Sequence, residues 1–311
     1  MARRLAGVPG VVLVAAAAAM WGTDALFRKP LAQSTSAGTI VFGEHVILVL
    51  ITLPLIVPAM RALFAAGARY VLAGIFVGAG ASAVATILFT QAFVHGDPIT
   101  PVVLQKVQPL IAIAAARVIL GEEPRRRFVW FAIPALVGVW LLAFPKPFEI
   151  HASGLEPIAL ALAAAALWGL GTVFGRYLSR RLPFEHVVTV RFSFGLVASA
   201  IMLPILGAPA FASAHDTLWI AYLAIVTGAL ALSLYYIGLQ RTPAMLASIA
   251  ELAYPVTAVI VGYVAFGATL VWTQWLGVIL TVVVVSLLPA PRRSPLVKAP
   301  AVEPQLAPVS A

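Results

Sequence analysis

Apolar runs of about 20 residues recur along the chain, each long enough to cross a hydrocarbon core roughly 30 Å thick. Between charged or Pro/Gly-rich breaks they fall at 11–31, 38–60, 71–94, 98–119, 127–145, 155–178, 184–206, 217–240, 243–266 and 270–288. This pattern predicts an all-α, polytopic membrane protein of ten transmembrane helices. Composition agrees, because 62% of the 311 residues are hydrophobic and only 10% are charged, whereas a soluble domain is about 45–50% apolar. The first run follows Arg3 and Arg4 as a signal peptide would, but it is long and contains Asp24, so it is counted as a helix.

The net charge of +9 lies mostly in short loops rather than on one basic face, which points to topology and away from nucleic acid. With a cytoplasmic N-terminus, the inside segments hold fourteen cations: Arg3, Arg4, Arg61, Arg69, Arg125, Arg126, Arg127, Arg176, Arg180, Arg181, Arg241, Arg292, Arg293 and Lys298. The outside loops hold three, Arg28, Lys29 and Lys146. That bias predicts a multi-pass protein of the plasma (inner) membrane with both termini cytoplasmic. Cysteine is absent, which excludes disulfides, thiolate metal sites and cysteine nucleophiles. The histidines at 45, 95, 151, 186 and 215 are too scattered for a metal site, and no H-E-x-x-H, G-x-S-x-G or Walker motif occurs. The chain is expected not to be an enzyme and to need no cofactor.

Internal self-similarity decides the architecture. Ala-Ala-Met-Trp-Gly at 18–22 is echoed by Ala-Ala-Leu-Trp-Gly at 165–169, with Phe27 and Lys29 matched by Phe174 and Arg176, all 147 residues apart. Leu88 pairs with Leu234, Pro109 with Pro255 and Gly121 with Gly267, each 146 apart. Five helices per half force the second copy to enter from the opposite side, so the halves form an inverted-topology repeat, an arrangement that carriers use to expose one site to either face. The expected organisation is a cytoplasmic N-terminus at 1–10, a first repeat at 11–145, an extracytoplasmic linker at 146–154, a second repeat at 155–288 and a proline-rich, disordered cytoplasmic tail at 289–311.

These motifs resemble the drug/metabolite transporter superfamily, specifically its EamA-type members. Both halves carry the Trp-Gly first helix and a fourth helix with a central proline running to a glycine. The Pro…Gly-Glu element is intact at Pro109 to Gly121-Glu122, but Ala268 replaces the acidic residue after Gly267. The resemblance covers about residues 11 to 288 and implies ten helices that move small organic metabolites. Within the group the chain looks most like the YddG-type exporters of aromatic amino acids.

An ionisable side chain inside a span costs at least about 2.5–3.5 kcal/mol on insertion scales, so each one needs a partner or a water-filled cavity. The candidates for substrate binding are Trp21, Glu44, Gln91, Gln105, Lys106, Gln108, Trp168, Tyr236 and Glu251. Lys106 lies roughly eight residues, about 12 Å, inside helix four, and is open to two readings: a receptor for a substrate carboxylate, or an ion-pair partner of Glu44 or Asp24. Asp24, Glu44 and Arg191 are candidates for gating or ion pairing, since Glu44 and Arg191 are repeat-related at 147 and opposite in charge. Glu251 aligns with Gln105 at 146 and is a candidate proton carrier or a structural group. Trp21 and Trp168 suit an aromatic substrate or simple packing. Pro109 and Pro255 are expected as helix hinges.

The expected function is a secondary transporter exporting small organic solutes, amino acids of aromatic or other apolar character, by alternating access through a central cavity. The alternatives are a broad-specificity metabolite or drug exporter, or a channel. The partners this implies are a small-molecule substrate and membrane lipid, and a monomer is sufficient for transport.

Overall fold

In the computed structural model of the protein, which describes residues 5, 7–95, 104–123, 128–144, 155–267 and 269–288, the apolar runs become helices. They are α1 (Gly10–Ser34), α2 (Ala37–Ala66), α3 (Ala68–Ala92), α4 (Gln108–Leu120), α5 (Val129–Leu142), α6 (Leu155–Ser179), α7 (Phe184–Ile205), α8 (Ala214–Leu239), α9 (Ala244–Ala265) and α10 (Trp272–Ser286). Seven are long and apolar enough to cross a membrane, and α4, α5 and α10 are shorter. No strand occurs among the described residues. The expected linker at 146–154 and tail at 289–311 lie outside the described residues. Large apolar side chains face outward around the bundle, with Val118 84% exposed and Trp130 78% exposed, as a lipid solvent demands.

Where each helix crosses the membrane once, odd-numbered helices begin and even-numbered helices end on one face, here termed the N-face; the opposite ends form the far face. The halves are interleaved rather than side by side. Helix α1 packs on α8 and α9 of the second half, and its counterpart α6 packs on α3 and α4 of the first. Helices α5 and α10 pack on one another, as do α2 and α7. Every one of these contacts maps onto another, or onto itself, when the halves are exchanged, which is the pseudo-two-fold relation of an inverted repeat.

The Trp-Gly motif has a packing cause. A Cβ on Gly22 would meet the Tyr254 carbonyl oxygen at 2.7 Å, and one on Gly169 would meet the Gln108 carbonyl oxygen at 2.9 Å. Tyr254 and Gln108 are themselves repeat-related, so the same close approach of first helix to fourth helix occurs twice, each time across the halves.

Helix α9 is interrupted, and α4 opens, at a repeat-related proline turn. Proline cannot donate to the carbonyl four residues back, and for Pro109 and Pro255 those carbonyls belong to Gln105 and Glu251. Each is taken instead by a tight turn: Gln108 N–H donates to Gln105, and Tyr254 N–H donates to Glu251 at 3.0 Å. The predicted helix at 98–119 is thus described as a turn at Gln105–Val107 followed by α4. A second paired irregularity lies in the glycine-containing stretches Phe76–Val84 of α3 and Ala224–Leu230 of α8, which wind as wider π-type turns. Such bulges frequently accompany functional sites.

Candidate functional site

The paired breaks and bulges converge on one cavity of about 250 Å³. Its wall is built largely of repeat-related pairs, among them Trp21 with Trp168, Glu44 with Arg191, Phe89 with Tyr235, Gln105 with Glu251, and Gln108 with Tyr254. The pseudo-two-fold relation therefore passes through the cavity. The two tight turns deliver Gln105, Gln108, Glu251 and Tyr254, and the bulges bring Ala81, Ser82, Thr227 and Gly228 to the same wall. Backbone is shared between the halves; side-chain chemistry is not.

Two aromatic pairs face this space, related by the repeat. The Trp21 ring lies 5.2 Å from that of Tyr235, and the Trp168 ring lies 5.0 Å from that of Phe89 in an edge-on arrangement. Trp21 is fixed by its indole N–H, which donates to the Thr227 carbonyl at 2.9 Å.

Two polar clusters stand beside the aromatics. In the first, Arg28 donates to both oxygens of Asp24 and, at 2.7 Å, to Glu44. In the second, the Glu251 carboxylate accepts from the Tyr235 hydroxyl at 2.8 Å, the Thr172 hydroxyl at 3.1 Å and the Gln108 amide at 2.8 Å. These donors satisfy a side chain that is only 9% exposed. Between the clusters His45 is locked by Val41 O at 2.7 Å and Ser82 Oγ at 3.0 Å. Among the described residues, three buried polar atoms of wall side chains carry no partner: Arg28 Nη1, Gln105 Oε1 and Arg191 Nε.

The residues expected from sequence distribute as follows. Trp21, Asp24, Glu44, Gln105, Gln108, Trp168, Arg191 and Glu251 line the cavity. Gln91 lies in α3 outside its wall. Tyr236 is fully buried behind the wall, packed where a Cβ on Gly175 would stand, and accepts from Arg191 at 3.2 Å. The side chain of Lys106 lies outside the described residues. Glu44 and Arg191 face the same space but are not each other's partner. Arg191 binds Tyr236 and the Ala81 carbonyl, and Arg28 takes Glu44. Arg28 itself, counted from sequence as an outside-loop cation, is in α1 facing the cavity. Its side chain lies one helical turn from Asp24, a spacing at which opposite charges meet. Thr172 and Ser82 were not signalled, since hydroxyls in apolar runs carry no hydropathy mark.

A family model described as the EamA-like transporter family matches residues 8–144 and again 155–288. The chain is 29% identical over 299 residues to the riboflavin transporter ImpX of Fusobacterium nucleatum, covering 89% of this chain and 96% of that protein. It is 25% identical to an uncharacterized transporter, YwfM, of Bacillus subtilis, over 62% of this chain and 65% of that one. A solved crystal structure superposes with a TM-score of 0.70 at 19% identity, over 89% of this chain and 95% of its own, which bears on the fold alone.

Proposed function

This chain belongs to the EamA-like transporter family, and from that premise we propose that it carries a small amphipathic solute with an aromatic ring system, riboflavin first among them, by alternating access through the cavity between its halves. It is a membrane transporter and not an enzyme. The observation that carries the substrate reading is the pair of repeat-related aromatic clusters, Trp21 with Tyr235 and Trp168 with Phe89, facing one cavity. Flat π surfaces on opposite walls favour a planar ring by offset or edge-on contact. Arg28 and Gln105 on the same wall supply a donor and an acceptor type for its polar edge. The relation to a riboflavin transporter supports the same class.

A second reading, export of aromatic amino acids, is favoured by the Arg191 guanidinium on the wall, a group of the kind that receives a carboxylate. The deciding experiment is uptake and exchange in proteoliposomes with labelled riboflavin and labelled tryptophan, each loaded inside or outside, with and without a pH gradient. Saturable riboflavin flux that excess unlabelled riboflavin competes away, and that falls at least about tenfold in Trp168→Ala, is the expected result. Tryptophan flux without riboflavin flux establishes the second reading, and unitary conductance in place of saturation establishes a channel. The loading side that supports net flux gives the direction, and normal tryptophan flux in Lys106→Ala removes that lysine from the site.

The same reading puts the protein in the plasma (inner) membrane with both termini on the cytoplasmic side. Support comes from the loop charges, whose outside share shrinks further once Arg28 is counted as a cavity residue.

A further inference from the structure

The glycine that ends the fourth helix of each half adopts the same left-handed conformation, Gly121 at φ 65° and Gly267 at φ 63°. In the first half the Glu122 amide then donates to the Ala116 carbonyl at 3.2 Å, a closing bond that turns Glu122 back across the bundle. Its two carboxylate oxygens accept the backbone N–H groups of Ala244 at 3.0 Å and Met245 at 3.1 Å, the first residues of α9. Arg180, 3.7 Å away, holds the carboxylate from the α6–α7 turn.

This contact spans the gap that a carrier must open. Helix α4 packs chiefly with α6, and α9 packs chiefly with α1. Among the described residues the N-face stretch of α9, Ala244–Ala250, lies along α4, whereas the stretch from Ala253 onward packs mainly on α1, α5 and α10; at the turns Gln108 still bonds Glu251. Glu122 sits at the closed end of that divergence. Two further bonds seal the same end, Arg176 to the Leu239 carbonyl at 2.6 Å and Gln240 to the Leu182 carbonyl at 3.2 Å. The repeat predicts mirror-image groups for the far face, yet position 268 is alanine where 122 is glutamate, and position 94 is valine where 240 is glutamine; Lys29 alone answers Arg176 with a like charge.

We propose that Glu122 is a positioning residue for the transport cycle: it latches α4 to α9 on the N-face, and because Ala268 cannot form the matching latch, the N-face-closed conformer is the resting state. The inference rests on the alternating-access reading. It adds a direction to the resting bias, which an inverted repeat with identical halves would not have.

The cysteine-free chain makes the test direct. With Thr86→Cys as a reporter on the cavity wall, labelling by a membrane-impermeant maleimide is measured from each face in vesicles of sorted orientation. The expected pattern is labelling from the far face, with the N-face to far-face ratio rising about tenfold on adding Glu122→Ala, the shift that one charge-assisted hydrogen bond supports. Adding Ala268→Glu instead, which supplies a carboxylate on the far face, moves the ratio in the same direction. A purely structural role for Glu122 lowers stability and leaves the ratio in place. A ratio changed less than twofold by both variants overturns the latch, and if Glu122→Ala does not fold, Ala268→Glu decides alone. Riboflavin exchange, measured on the same vesicles carrying the wild-type chain, reports on the transport reading separately.

Discussion

Arg28 satisfies Asp24 and Glu44 at once, so its removal strands two carboxylates in a largely buried wall. Breaking a buried ion pair by deleting one partner costs about 3–5 kcal/mol, most of it the penalty of the charge left behind. Arg28→Ala is therefore expected to lower the melting temperature of the purified protein sharply, and Arg28→Gln combined with Glu44→Gln to recover at least half of the loss. Equal melting of the single and double variants would show that the charges are not coupled. Sequence made Asp24 and Glu44 visible as intramembrane acids but hid their partner. Hydropathy treats a cation near a span end as a loop residue, and the Arg28–Glu44 contact crosses a helical hairpin whose geometry no spacing encodes. Glu251 was legible as an inward-facing group through its match to Gln105. Its donors Thr172, Tyr235 and Gln108 come from three different helices, and only the packing of α4, α6, α8 and α9 brings them together.

At the scale of elements, the two Trp-Gly helices make the same contact with different tolerance. A methyl at Gly22 would meet Thr257 Cβ at 2.5 Å and the Tyr254 carbonyl at 2.7 Å, while one at Gly169 meets nothing nearer than the Gln108 carbonyl at 2.9 Å. Overpacking of this kind costs about 1–3 kcal/mol, and more where backbone rather than a side-chain tip must yield. Gly22→Ala is expected to reduce thermal stability and folded yield more than Gly169→Ala, measured side by side by size-exclusion chromatography and melting in detergent. The reverse order would mean that α1 shifts more readily than α6. The motif itself was plain in the sequence as a repeat, and its reason was not, because the partner is a distant carbonyl, Tyr254 for Gly22 and Gln108 for Gly169. The breaks were half-legible: Pro109 and Pro255 announced a disruption, but the turns at Gln105 and Glu251 depend on which donor replaces the missing one.

For the molecule as a whole, ten passes and two halves followed from hydropathy and a near-constant spacing, since membrane thickness leaves few alternatives to a helix of about 20 residues. The way the halves interleave, α1 into the second and α6 into the first, was not written in the spacing, because side-by-side halves would show the same repeat. An even number of passes puts both ends of the chain on one side. A fluorescent-protein fusion at the C-terminus is expected to fluoresce and an alkaline-phosphatase fusion at the same point to be inactive, and the opposite pair of results would invert the topology. The tight turns at Gln105 and Glu251 have a consequence at this scale too. A helical rod begins after each turn, so α4 and the Ala253–Phe266 stretch of α9 both start at the cavity, with Gln108 and Tyr254 of these first turns on its wall. A helix start carries a partial charge of about +0.5 from its aligned peptide dipoles. Two such poles reach the cavity from opposite sides, supplied by backbone alone, and they oppose the charge of the Glu251 carboxylate whatever side chains the two halves go on to exchange.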